Sequence, residues 1–250
     1  MTRSDVINRI RYFSETDNKI LAAYESGSKA TGNSDDFSDL DLVLICKEGY
    51  KENLFDKIDK YLDQKYTIID KYRLPEPTLH KHSQTFYHLR DVPKFFYLDL
   101  VIMEESEKNH LAEIERHGNP DIWFDPQKLI QTDHIDKEAI AEKCRTIIKT
   151  IKKSYFIEII ETKKRLHRGH IIDAMITYNG LLFRRLALLL NIKYRPCKYD
   201  FSLRYSYRDY QESVNRKLKE LLRYKTKDEL QQGIREIEEM IEKLLSELEN

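Results

Sequence analysis

The chain has 250 residues, 43 Lys plus Arg against 43 Asp plus Glu, and a formal net charge of zero; 40% of it is apolar. That length buries a core without disulfide staples, and zero net charge excludes a whole-molecule field for wrapping nucleic acid, leaving only a local basic patch. Cys46, Cys144 and Cys197 are odd in number and far apart, with no C-x-x-C, so neither a zinc site nor a disulfide framework is expected.

The N-terminal segment from Ser4 to about Thr16 carries Val6, Ile7, Ile10 and Phe13 at helical spacing, with Ser4 as the expected cap. It is a charged helix, not a secretory signal, and no apolar run approaches the roughly 20 residues of a membrane span, so a cytoplasmic protein is expected. "KILAAYESGS" reads as a strand ending in a glycine turn, "KATGNSDDF" as a loop, and "DLDLVLIC" as a buried strand. "ENLFDKIDKYLDQ" is an amphipathic helix, and "FFYLDLVIM" is a second buried strand with Asp99 in its middle. Strands mixed with helices make this half α/β or α+β.

The character then changes. Residues 136–167 form one long helical pattern, "HIIDAMITYNGLLFRRLALLL" a second and more apolar one, and two further helices close the chain. A boundary is expected near residue 130, giving units 1–130 and 131–250, the second a helical bundle. The last helix carries Leu230, Ile234, Ile237, Ile241, Leu244 and Leu248 as a stripe. Packing inside the bundle is the expected use, a homodimer seam through the C-terminal helices the alternative.

The pattern richest in chemistry is "SGSKATGNSDDFSDLDLVLI". Residues two apart on a strand share a face, so Asp39 and Asp41 are expected on one side and Leu40, Leu42 and Leu44 on the other. Asp99 stands likewise between Leu98 and Leu100. If the two strands pair, three carboxylates converge, an arrangement that is repulsive without a cation. Mg²⁺ takes oxygen ligands and completes its shell with substrate phosphates, and two such ions can clamp a phosphoryl-type transfer. Gly27 lets backbone approach a phosphate, and Ser28 adds a hydroxyl donor.

These residues resemble the nucleotidyltransferase superfamily signature: G-S, a spacer with a second glycine (Gly32), then S-D-x-D, with "FYLDLVIM" similar to its third-carboxylate strand. Length and the following helical half look most like the bacterial aminoglycoside (streptomycin 6-) and lincosamide adenylyltransferases. The resemblance implies an α+β fold, a nucleotidyltransferase-type mixed sheet followed by a helical bundle. It also implies ATP as donor, Mg²⁺ as cofactor, and an AMP ester plus pyrophosphate as products. Position by position, Ser28 would hold terminal phosphates, Asp39 and Asp41 would bind metal, and Asp99 would be a metal ligand or base. The acceptor would be a small-molecule hydroxyl, as on an aminoglycoside or lincosamide antibiotic. Adenylylation of a protein or RNA end, as in a toxin–antitoxin pair, and a degenerate nucleotide-binding module are the alternatives.

Three features lie in the helical half. "KYRPCKYDFSLRYSYR" (193–208) interleaves cations with aromatics. It reads as a lid with Lys198 as a phosphate point charge, as a single-strand nucleic-acid surface, or as a solvated connection. Asp173 sits in the most apolar helix, where a carboxylate is costly unless paired or functional. The resembled enzymes draw a general base from this half, which makes Asp173 a candidate, with Glu158 and Glu161 as fallbacks. Arg165 to His170 spells R-x-x-x-x-H, similar to a short motif of helical RNases and easily reached by chance.

Overall fold

The protein is described here from a computed structural model, which covers residues 1–78, 81–107 and 113–249. The chain divides into two compact units, Met1–Ile135 and Asp136–Asn250. Its class is α+β: a mixed six-stranded sheet with helices, then a helical region.

Helix α1 (Arg3–Thr16) opens the first unit. Thr2, not Ser4, caps it, because Thr2 and Asp5 satisfy each other's backbone amides: Asp5 N donates to Thr2 Oγ1 at 3.2 Å and Thr2 N to Asp5 Oδ2 at 2.8 Å. Strand β1 (Ile20–Glu25) runs into a single helical turn, α2 (Gly27–Ala30). Then follow β2 (Leu40–Cys46), α3 (Lys51–Tyr66), β3 (Ile68–Arg73), β4 (Ser83–Leu89) and β5 (Leu98–Glu104). A short α4 (Ile114–His117) and β6 (Asp121–Phe124) complete the unit.

The sheet order is β3-β4-β5-β2-β1-β6. Only β2 and β5 pair in parallel; the other neighbours are antiparallel. Leu40, Leu42, Leu44, Leu98 and Leu100 face a core closed by Val6 and Ile10 of α1 and Leu54, Ile58 and Leu62 of α3. Val43, Ile45, Val101 and Met103 form a smaller cluster with Leu129 and Ile130 packed against it. Each fully buried Leu contributes roughly 1.5–3 kcal/mol, so the leucine face drives these strands and tolerates carboxylates opposite.

The second unit begins with α5 (Lys137–His167), capped by Asp136, whose Oδ1 accepts from Ala139 N at 2.9 Å. The apolar stretch after it is not one regular helix. It runs as α6 (Ile171–Thr177), a π-helical turn (Tyr178–Phe183) and α7 (Arg184–Tyr194). A turn at Pro196–Lys198 leads to α8 (Ser206–Asp209), α9 (Glu212–Leu221) and α10 (Lys227–Glu249). Leu230, Ile234, Ile237, Ile241 and Leu244 of α10 are buried in this unit's own core, with Leu248 packed against it. Among the described residues no helix is long and apolar enough to cross a membrane.

Candidate active site

Parallel pairing of β2 with β5 puts Asp41 directly beside Asp99. Both stand on the sheet face opposite the leucines, half-buried. Asp39 falls one residue before β2 rather than within it. All three carboxylates act on one phenol. Burial raises the Tyr97 hydroxyl's pKa first, then its hydrogen bond to Asp39, then the charges of Asp39, Asp41 and Asp99. Gln84 of β4 donates to Asp99 Oδ1 at 2.6 Å and fixes that carboxylate.

Gly27 lies against Asp41. Its φ is +57°, and a Cβ there would fall 1.7 Å from Asp41 Oδ2 and 2.4 Å from Asp41 Cγ. The glycine therefore does two things: it accepts the left-handed backbone, and it leaves the space the carboxylate occupies. Ser26 N donates to the Asp41 carbonyl at 2.8 Å, tying the turn to β2. Within the turn, Thr31 Oγ1 donates to the carbonyls of Gly27 and Ser28 at 3.2 and 3.1 Å, and Asn33 N to Ser28 O at 2.8 Å. The Ser28 hydroxyl itself is buried and has no hydrogen-bond partner among the described residues. An orphaned buried donor costs about 1–3 kcal/mol, which a ligand would relieve.

Among the described residues no three His, Cys, Asp or Glu side chains form a ready-made cage for a metal. A closed cage is not what Mg²⁺ uses, since it takes one or two carboxylates and fills its shell with water and substrate phosphates. The donor set is all oxygen and anionic, the carboxylates share a face, and an unsatisfied hydroxyl lies in the adjoining turn. These residues fit a hard divalent cation shared with a phosphate-bearing substrate.

Sequence reasoning missed the residues that hold this site together. Arg3, at the start of α1, donates from Nε to Ser38 O at 3.0 Å and from Nη2 to Asp39 O at 2.8 Å. The same Nη2 pairs with Glu25 of β1, whose side chain is only 3% exposed. Burial raises the Glu25 carboxyl above its ordinary range, and the Arg3 guanidinium opposes that rise. Arg3 thus fixes the segment carrying Asp39 while neutralising a buried acid. Arg3→Ala would strand that carboxylate at a cost of about 3–5 kcal/mol, a fall of roughly 10 °C in melting temperature. A calorimetric scan should show Arg3→Ala/Glu25→Gln melting above Arg3→Ala alone; the reverse order would contradict this account of the pair.

In the second unit, Asp173 is exposed in the first turn of α6, so the expected cost of burying it does not arise. Glu158 is held by Arg185 through contacts of 2.7–3.2 Å, and Glu161 pairs with Lys164 and Arg165, which occupies both fallback carboxylates. Arg165 of the R-x-x-x-x-H stretch is engaged with Glu161 on its own helix. Lys198 is half-buried at the end of the Pro196–Lys198 turn.

No protein-family model matches the chain, and no curated protein matches it. Among solved structures it is similar to an aminoglycoside 6-adenyltransferase from Bacillus subtilis. The identity is 12% and the TM-score 0.37, over 98% of this chain and 92% of that one. That likeness is too distant to assign a function, which rests on the residues themselves.

Proposed function

We propose that the protein is a Mg²⁺-dependent nucleotidyltransferase that moves AMP from ATP to a hydroxyl of a small molecule, with aminoglycoside and lincosamide antibiotics as the first acceptors to test. The observation carrying this reading is the placement of Asp41 beside Asp99, with Asp39 bonded to Tyr97, next to a glycine-serine turn whose hydroxyl has no partner among the described residues.

Asp39, Asp41 and Asp99 would hold the cation, which when bound supplies charge neutralisation for the triphosphate. The Ser28 hydroxyl would donate to a terminal phosphate oxygen. In the reaction, an acceptor oxygen forms a bond to the α-phosphorus as the α–β bridging bond breaks. Pyrophosphate leaves with that electron pair. The acceptor proton passes to a carboxylate, which is Asp99 where Asp39 and Asp41 alone hold the cation.

Binding of Mg·ATP should raise the melting temperature by linkage, by about 2.7 kcal/mol of stabilisation at a hundredfold excess over Kd. Ser28→Ala removes the orphaned hydroxyl, so its ligand-free melting should match or exceed that of the parent while the ATP-induced rise shrinks. Differential scanning calorimetry with and without Mg·ATP reads both. An unchanged rise in Ser28→Ala would take Ser28 out of the phosphate site, and no rise in the parent would refute nucleotide binding.

A further inference from the structure

The segment 195–210 is built around a buried arginine. Arg195 is 7% exposed and donates from Nε to Asn191 Oδ1 at 2.7 Å, from Nη2 to Ser202 O at 2.7 Å, and from Nη1 to Arg204 O and Asp209 Oδ2 at 2.5 and 2.7 Å. Asn191 adds bonds from Nδ2 to the carbonyls of Tyr199 and Ser202 at 3.0 and 2.6 Å. The loop's backbone is therefore fixed from beneath, and Asp209 is consumed in doing it. Held this way, Tyr205 takes a left-handed conformation, φ +65° and ψ 11°, uncommon for a residue with a Cβ.

That conformation places two cations on one ring. The Arg208 guanidinium lies 4.3 Å and that of Arg204 5.4 Å from the Tyr205 ring centroid. Among the described residues neither has a carboxylate partner. The side-chain hydrogen bond of Arg204 goes to the Tyr205 hydroxyl at 3.3 Å. Arg208 has Nε and Nη1 buried with no hydrogen-bond partner among the described residues. Two like charges sharing one aromatic ring repel, and an anion beside them would relieve that repulsion. Tyr207, with its ring 5.7 Å from Arg208, is 73% exposed and free to stack.

We propose that Arg204, Tyr205, Tyr207 and Arg208 form a binding site for a phosphate-bearing ligand with a stackable base. Arg208 supplies its planar guanidinium to the phosphate, Arg204 supplies the second charge, and Tyr207 supplies a face for the base. Lys198 is not needed for this site. The same chemistry is offered by a nucleotide and by a single strand of nucleic acid.

The experiment titrates the full chain in EDTA by fluorescence anisotropy, with a labelled ATP in one arm and a short labelled oligothymidylate in the other. Omitting the divalent cation separates this site from the aspartates, so failure here leaves the transfer reading standing, and failure of transfer leaves this one standing. The wild type should bind at least one probe, and the tighter arm names the source of the phosphate. Arg204→Ala and Arg208→Ala should each weaken binding about tenfold. The dependence of log affinity on log salt in the oligonucleotide arm should flatten by about 0.7 per arginine removed. Arg208→Lys keeps the charge but loses the planar guanidinium, and should weaken binding less than Arg208→Ala yet measurably; it carries the test should the alanine variants fail to fold. No binding of either probe by the wild type would overturn the proposal. So would equal binding by wild type and the folded variants.

Discussion

Asp41→Asn should lower nucleotidyl transfer by about 10²–10³-fold or more while the protein melts within a few degrees of its parent. Asp39→Asn should do the same. The loss follows from the charge: an amide offers one oxygen and no negative charge to a hard cation, and charge stabilisation of a transferring phosphoryl group accounts for losses of this size. The retained fold follows from the setting. Asp41 and Asp99 lie side by side on a parallel pair, an arrangement whose repulsion the amide reduces. The leucine face of β2 is untouched by the change. A steady-state assay with saturating ATP and an identified acceptor gives the measurement. Activity within about tenfold of the parent in both variants would remove the two-aspartate site.

The second large effect belongs to Gly27. In Gly27→Ala the new Cβ meets Asp41 Oδ2 at 1.7 Å, a distance no real contact has, and the φ of +57° adds about 1–2 kcal/mol of backbone strain. Either the carboxylate moves or the turn does, and both change the placement of Asp41 against the turn that carries Ser28. Transfer should therefore fall as far as in Asp41→Asn, with an added loss of stability that the aspartate variant lacks. Gly32 is the control. It has φ +70° but nothing within 4 Å of an added Cβ, so Gly32→Ala should carry the backbone cost and keep most of its activity. Kinetics and melting curves of the two alanine variants together separate the contact from the strain. Equal activity in both would mean that the room beside Asp41 has no part in the reaction.

The candidate site was legible in the sequence where its signal was an interruption. β2 and β5 are near-continuous apolar runs because they are central and covered, and a carboxylate in such a run is conspicuous. β3 escaped notice because it lies at the sheet edge and carries Asp70, Lys71 and Arg73, and β6 because it is four residues long. β4 alternates buried and less buried positions through Ser83, Thr85 and Tyr87, a pattern its hydroxyls disguise. The supports of the site were illegible for a different reason: Arg3 reaches Glu25 and Asp39, and Gln84 reaches Asp99, across sequence gaps that no local pattern encodes. Arg195 likewise looked like one more cation in a basic stretch, and only the fold shows it buried and fully engaged. Asp173 drew notice by its apolar setting. An apolar helix suggested burial, yet α6 leaves Ile172 and Ile176 76% and 64% exposed, and the aspartate is exposed with them.

The most direct test of the central claim is pyrophosphate release from ATP labelled at the α-phosphorus, with a panel of aminoglycosides and lincosamides, with and without Mg²⁺. The account predicts release that requires both the cation and an acceptor, with the α-label recovered on the acceptor and lost in Asp41→Asn. Absence of Mg²⁺-dependent release with every acceptor, together with no binding of Mg·ATP by titration calorimetry, would contradict it.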